Sequence, residues 1–250
     1  MKKNHKKKYL ALAIVLILLS IAIAGGSLAW FTATDQVTNV FTVGSIAVQQ
    51  LETDENGNPF QQNQMLMPIL GEGNVEDDPN FIHKIVTVRN TGDNPAYLRT
   101  WVALPSALEG ILCYEADSTH WEKLPNKITA NIGSVSYNVW CYVYQEALSA
   151  GSTTQPLLKG VYLDSCVEIQ DDPADNSSNL EFCTRNNDVL NFSGFEIFDS
   201  SGNLLADTVI DLRIATQAVQ TEGFTDPTEA LNTAFGTVDS AAALLLFQNP

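Results

Sequence analysis

Val135-Ser136-Tyr137-Asn138-Val139-Trp140-Cys141-Tyr142-Val143-Tyr144 is the stretch on which the fold turns. Val135, Tyr137, Val139, Cys141 and Val143 alternate with Trp140, Tyr142 and Tyr144. Successive side chains of an extended strand point to opposite faces, so this run is bulky on both. Such a strand is central in its sheet and covered from both sides. Upstream, Leu98, Thr100, Val102 and Leu104 share one face of a second run; Tyr97, Arg99 and Trp101 share the other, and Pro105 ends it. Val86 and Val88 alternate with Thr87 and Arg89 and stop at the turn Asn90-Thr91-Gly92-Asp93. Residues 157–169 read as a strand broken at Gly160. Residues 195–198 and 204–209 flank Asp199-Ser200-Ser201-Gly202-Asn203, a hairpin signal, and Ile210, Leu212 and Ile214 then alternate with Asp211 and Arg213.

Helix signals are few. Asp226-Pro227-Thr228-Glu229 supplies an N-cap, a proline at the first helical position and a glutamate at the third, and Gly236 stops the helix. Residues 240–247 add another turn or two, too short a run to span a membrane. Segments 52–80, 117–133 and 170–188, rich in Asn, Gln, Asp, Gly and Pro, read as loops or insertions. The expected fold is all-β: a two-sheet antiparallel sandwich, jelly-roll or immunoglobulin-like, with an N-terminal signal helix and one or two short C-terminal helices.

The first forty residues set the expected location. Lys2, Lys3, Lys6, Lys7 and Lys8 precede an apolar run over 9–24, followed by Gly25-Gly26-Ser27-Leu28-Ala29-Trp30-Phe31-Thr32. A basic head, a greasy middle and small residues at Ser27 and Ala29 read as an export signal cut between Ala29 and Trp30. On this reading 1–29 is the signal peptide and 30–250 a single elaborated β-sandwich domain, secreted to the extracellular matrix or cell surface. A rival reading keeps the apolar segment as an N-terminal membrane anchor with the body still outside. No LPxTG-type sorting motif precedes the tail.

The whole chain carries 13 basic and 29 acidic residues; without the five leader lysines, 8 basic residues face 29 acidic ones, a net charge of −21. That excludes nucleic acid as a partner, because binding it needs clustered Lys and Arg. An acidic surface keeps an exported protein soluble. Cys113, Cys141, Cys166 and Cys183, an even count outside the cytosol, suggest two disulfides; of three possible pairings, Cys113–Cys141 and Cys166–Cys183 are favoured.

Catalytic signals are scarce. Beyond the leader the histidines are His83, beside Lys84, and His120, beside Trp121 in a polar loop. No H-E-x-x-H, G-x-S-x-G or phosphate-binding glycine loop occurs. Glu76-Asp77-Asp78, and Asp171-Asp172 with Asp175, are acidic clusters without the spacing of a known calcium loop, and both read as solvated. Neither a metal, a cofactor nor an enzymatic activity is expected.

The leader sequence, with Asn39-Val40-Phe41-Thr42-Val43-Gly44 after it, resembles the TasA/camelysin-type family of exported biofilm matrix proteins with a SipW-type signal peptide. Three later pieces are similar too: Val88-Arg89-Asn90-Thr91-Gly92-Asp93 with Ala96-Tyr97-Leu98-Arg99, Leu148-Ser149-Ala150-Gly151-Ser152-Thr153-Thr154-Gln155-Pro156-Leu157, and Ala218-Val219-Gln220-Thr221-Glu222-Gly223-Phe224. The resemblance implies a jelly-roll subunit of Gram-positive biofilm fibres whose partners are other copies of itself, minor matrix subunits and, during export, a signal peptidase. It also implies joining by an N-terminal segment that completes the next subunit's sheet. Cleavage would free such a segment at 30–40, with Trp30 and Phe31 at its tip and Val37 and Val40 adding β-branched bulk. Exposed adjacent aromatics are costly unless buried. The segment either folds back as a first strand or adds to a neighbour's sheet edge, and the resemblance favours donation. A camelysin-like secreted metalloprotease and a monomeric cell-surface binding module are the alternatives.

Overall fold

The structure is a computed structural model that describes residues 42–43, 46–61, 64, 66–175, 177–203, 205 and 210–248. The predicted signal helix and the 30–40 segment lie outside the described residues, as do Leu204 and residues 206–209 of the predicted hairpin.

Thirteen strands form three sheets among the described residues. The first holds β1 (Thr42–Val43), β13 (Arg213–Gln220), β4 (Ala96–Pro105), β8 (Val135–Tyr144) and β6 (Trp121–Lys123) in that order, with β7 (Ile128–Ile132) also paired to β8. The second runs β2 (Val48–Thr53), β3 (Ile85–Asn90), β9 (Leu158–Leu163), β5 (Leu112–Ala116), and the third β10 (Val167–Asp171), β11 (Leu180–Asn186), β12 (Val189–Phe198). All neighbours are antiparallel except β1 and β13.

The central strands are those with bulk on both faces. All ten residues of β4 are buried. Its inward side chains Leu98, Val102 and Leu104 join Val86, Val88 and Leu158 of the second sheet and Phe182 and Ile197 of the third in one apolar core. Its outward face meets two helices, α1 (Pro227–Phe235) and α2 (Ser240–Gln248). Trp101, Val139 and Cys141 pack on Leu246 and Phe247 of α2, and Tyr97 and Val143 on Ala230 and Leu231 of α1. Asp226 caps α1 by accepting the Glu229 N–H at 2.6 Å, and Gly236 ends it with φ at +78°. No single helix among the described residues is long and apolar enough to cross a membrane.

Three sequence expectations change. The sheets number three, because segment 170–188, read as a loop, contains the whole of β11. Segment 117–133 likewise contains β6 and β7, which extend the sheet beside β8. The strand over 157–169 continues through Gly160 and breaks instead at Asp164, whose carboxylate and carbonyl accept the N–H groups of Cys166 and Val167 in a turn.

Candidate functional site

Residues from several of the sequence segments singled out above are neighbours in the fold. Thr42 and Val43 of β1 lie opposite Ala218 and Val219 of β13, which in turn face Leu98 and Tyr97 of β4. Ala96 bridges to Leu148, and Val88 N–H donates to the Thr154 hydroxyl at 3.0 Å. Asn90, fully buried, fastens the corner: its amide donates to the Asn94 and Leu148 carbonyls, both at 2.9 Å, and its side-chain oxygen accepts the Gly92 N–H.

Strand β13 is locked in place by its own polar side chains. Thr216 shares a 2.9 Å hydrogen bond with Thr100 and donates to Gln50 at 3.1 Å. On the opposite face, Gln217 accepts from Arg99 Nε at 2.6 Å and from Trp101 Nε1 at 3.1 Å. Arg99 is 1% exposed and continues to the end of α1, donating to Asn232 at 3.2 Å and to the Gly236 carbonyl at 3.1 Å. A cation there complements the helix C-terminus, and burial lowers its pKa. Asp211 and Arg213 pair at 2.6 Å where the strand begins. The outer backbone edge of this strand is paired, among the described residues, only by β1 at Ala218 and Val219. A strand edge offers a row of N–H and C=O groups to any extended segment that reaches it.

Of the sequence-predicted site residues, Ser27, Ala29, Trp30, Phe31, Val37 and Val40 lie outside the described residues. The four cysteines are described, and all are free, so the expected disulfides are corrected. Cys113 sits on β5 at the edge of the second sheet, opposite Tyr162. Cys141 is central in the first sheet and faces the helices, on the side away from the second sheet. Cys183 lies opposite Glu168, while Arg185 N–H donates to the Cys166 carbonyl. Cys166 and Cys183 are therefore two residues out of register, about 7–8 Å apart on the diagonal, and beyond disulfide reach. Burial pushes the Cys141 thiol up to about 12 and the Cys113 thiol to about 11, so both stay protonated at neutral pH.

The histidines take separate partners. His83 lies 3.4 Å from Glu55, and His120 Nδ1 lies 2.6 Å from Asp117. Burial opposes ionisation of Asp117, but the Thr119 N–H and His120 outweigh it and hold its pKa below the usual range. A cleft of about 410 Å³ opens near Asp117, walled by Tyr114, Trp140, Tyr142, Tyr162 and Lys123. The Tyr114 and Tyr142 hydroxyls share a 2.8 Å hydrogen bond, and the Lys123 ammonium sits 5.1 Å from the Trp140 ring centre. Aromatic alternation along β8 pointed to core packing; the cleft arises only because β5, β6 and β9 come alongside. Among known proteins, no family model and no curated protein matches the chain.

Proposed function

We propose that this chain is a structural subunit of extracellular biofilm fibres, joined head to tail when the 30–40 segment freed by signal cleavage adds to the β13 edge of the next copy. The observation that carries this reading is the β1–β13 pair. It is parallel, among the described residues it matches Thr42 and Val43 to Ala218 and Val219 of the eight-residue β13, and the donor segment ends two residues before it. A donor in the β1 register would set Val40 opposite Thr216 and Val37 opposite Arg213. A head-to-tail contact that does not close into a ring produces a filament. The all-β architecture and the family resemblance support the same reading and a jelly-roll arrangement.

Negative-stain electron microscopy of residues 30–250 beside a copy starting at Phe41 tests it. Filaments are expected only when 30–40 is present. Equal assembly of both, or assembly of neither, contradicts it. The aromatic cleft favours a second reading, a monomeric module that binds a flat ligand against Trp140 and the tyrosines. That reading predicts ligand-dependent quenching of tryptophan fluorescence and no filaments.

A further inference from the structure

Three acids converge at sheet three. Single ligand atoms of Asp172, Asp175 and Glu181 all lie within 4.8 Å of one another. Asp172 follows β10, Asp175 lies in the connection to β11, and Glu181 stands on β11 opposite Glu196 of β12. The sequence drew attention to the two aspartates; Glu181 is brought to them by the β10–β11 pairing.

Glu181 is the decisive member. It is 2% exposed, and its Oε2 is buried with no hydrogen-bond partner among the described residues. Arg185 of the same strand does not relieve it, being engaged by both carboxylate oxygens of Glu168. Asp172 Oδ1 accepts the Ala174 N–H at 2.8 Å, and Asp175 Oδ1 accepts the N–H and hydroxyl of Ser177 at 2.9 and 3.0 Å. Those bonds leave Oδ2 of each aspartate without a hydrogen bond among the described residues. Glu196 is drawn aside by the Asn179 amide at 2.8 Å.

A buried carboxylate oxygen facing other acids takes either a proton or a cation. Burial raises the Glu181 pKa, the Gly194 N–H opposes this, and Asp172, Asp175 and Glu196 add to the rise. That glycine has φ at +70° beside a register shift between β11 and β12, so the bulge brings a backbone donor to Glu181 but no counter-charge.

We propose that Asp172, Asp175 and Glu181 form a calcium site that ties the β10–β11 connection to strand β11. The set is all oxygen, which selects a hard cation over zinc. Oxygens bound to one calcium at about 2.3–2.6 Å lie no more than ~5 Å apart, which the three atoms satisfy. Three protein carboxylates with water completing the shell fit a dissociation constant on the order of 0.1–1 mM, as in extracellular calcium modules. The site is independent of fibre assembly.

Calorimetric titration of the chelator-treated full chain with calcium chloride tests the proposal. One site per chain is expected, with at least tenfold weaker binding in Asp175→Asn and loss of binding in Glu181→Gln. Asp175 is exposed, so its variant keeps the fold even if the Glu181 variant does not. With calcium at about ten times the dissociation constant, the parent's Tm should rise by roughly 3–6 °C. Absence of binding by folded protein overturns the proposal, as does calcium binding that survives both substitutions. A calcium-insensitive parent that Glu181→Gln stabilises would show that Glu181 holds a proton instead.

Discussion

Gly160 shows how one position can decide whether two sheet neighbours fit. A Cβ there would run into the Ile82 carbonyl oxygen and the Phe81 ring. Gly160→Ala should therefore destabilise the protein by about 1–3 kcal/mol, measured by urea unfolding; an unchanged midpoint would mean that Phe81 moves freely. An isolated glycine in a strand pattern signals either a break or a close approach, and only the tertiary neighbour separates the two. The cysteines were opaque for the same reason: an even count suggests bridges, but register and sheet membership decide which thiols meet. Glu168 carries a pH effect. Its hydrogen bonds to Arg185, then to Gln170, lower its pKa from 4.5 to about 2. Because the folded value is depressed, the stabilisation is complete above about pH 4.5 and lost as pH falls toward 2. Thermal unfolding of Glu168→Gln should lie below that of the parent at pH 6, and the gap should close by pH 2.

Elements with strong patterns were legible. The ten-residue runs of β4 and β8 declared themselves by bulk on both faces, and α1 by its cap, proline and terminal glycine. The strand β7 also alternates, with Ile128, Ala130 and Ile132 buried, but five residues inside a polar segment passed for loop. In β11, Glu181 and Thr184 interrupt the apolar pattern, and its neighbours supply the burial that its sequence does not advertise. Arg99 shows how a strand holds a helix: it spans from Gln217 to the C-terminal end of α1. Arg99→Ala should cost about 2–4 kcal/mol, since it removes a buried side chain that donates to Gln217, Asn232 and the Gly236 carbonyl and lies against Trp101 and Phe235. Hydrogen exchange should then quicken in α1 before it does in β4; equal protection in parent and variant would show that the apolar contacts of Ala230 and Leu231 hold the helix unaided.

At the scale of the whole molecule, one sheet is covered by helices on its outer face and by two smaller sheets on its inner face. The backbone edge of β13, paired among the described residues only at Ala218 and Val219, is one of several strand edges in the three sheets, and the one that the proposed assembly would use. The all-β class and the helical C-terminus followed from pattern alone; the proposed acceptor edge did not, because a sheet edge is made by strand order, which no local pattern encodes. On the proposed donation, a copy starting at Phe41 accepts a donor but cannot give one, so it should terminate a growing thread. Mixing it into residues 30–250 at one part in ten should shorten filaments seen by electron microscopy to roughly ten subunits on average, and further additions should shorten them in proportion. Filament lengths indifferent to the truncated copy would contradict donation along β13.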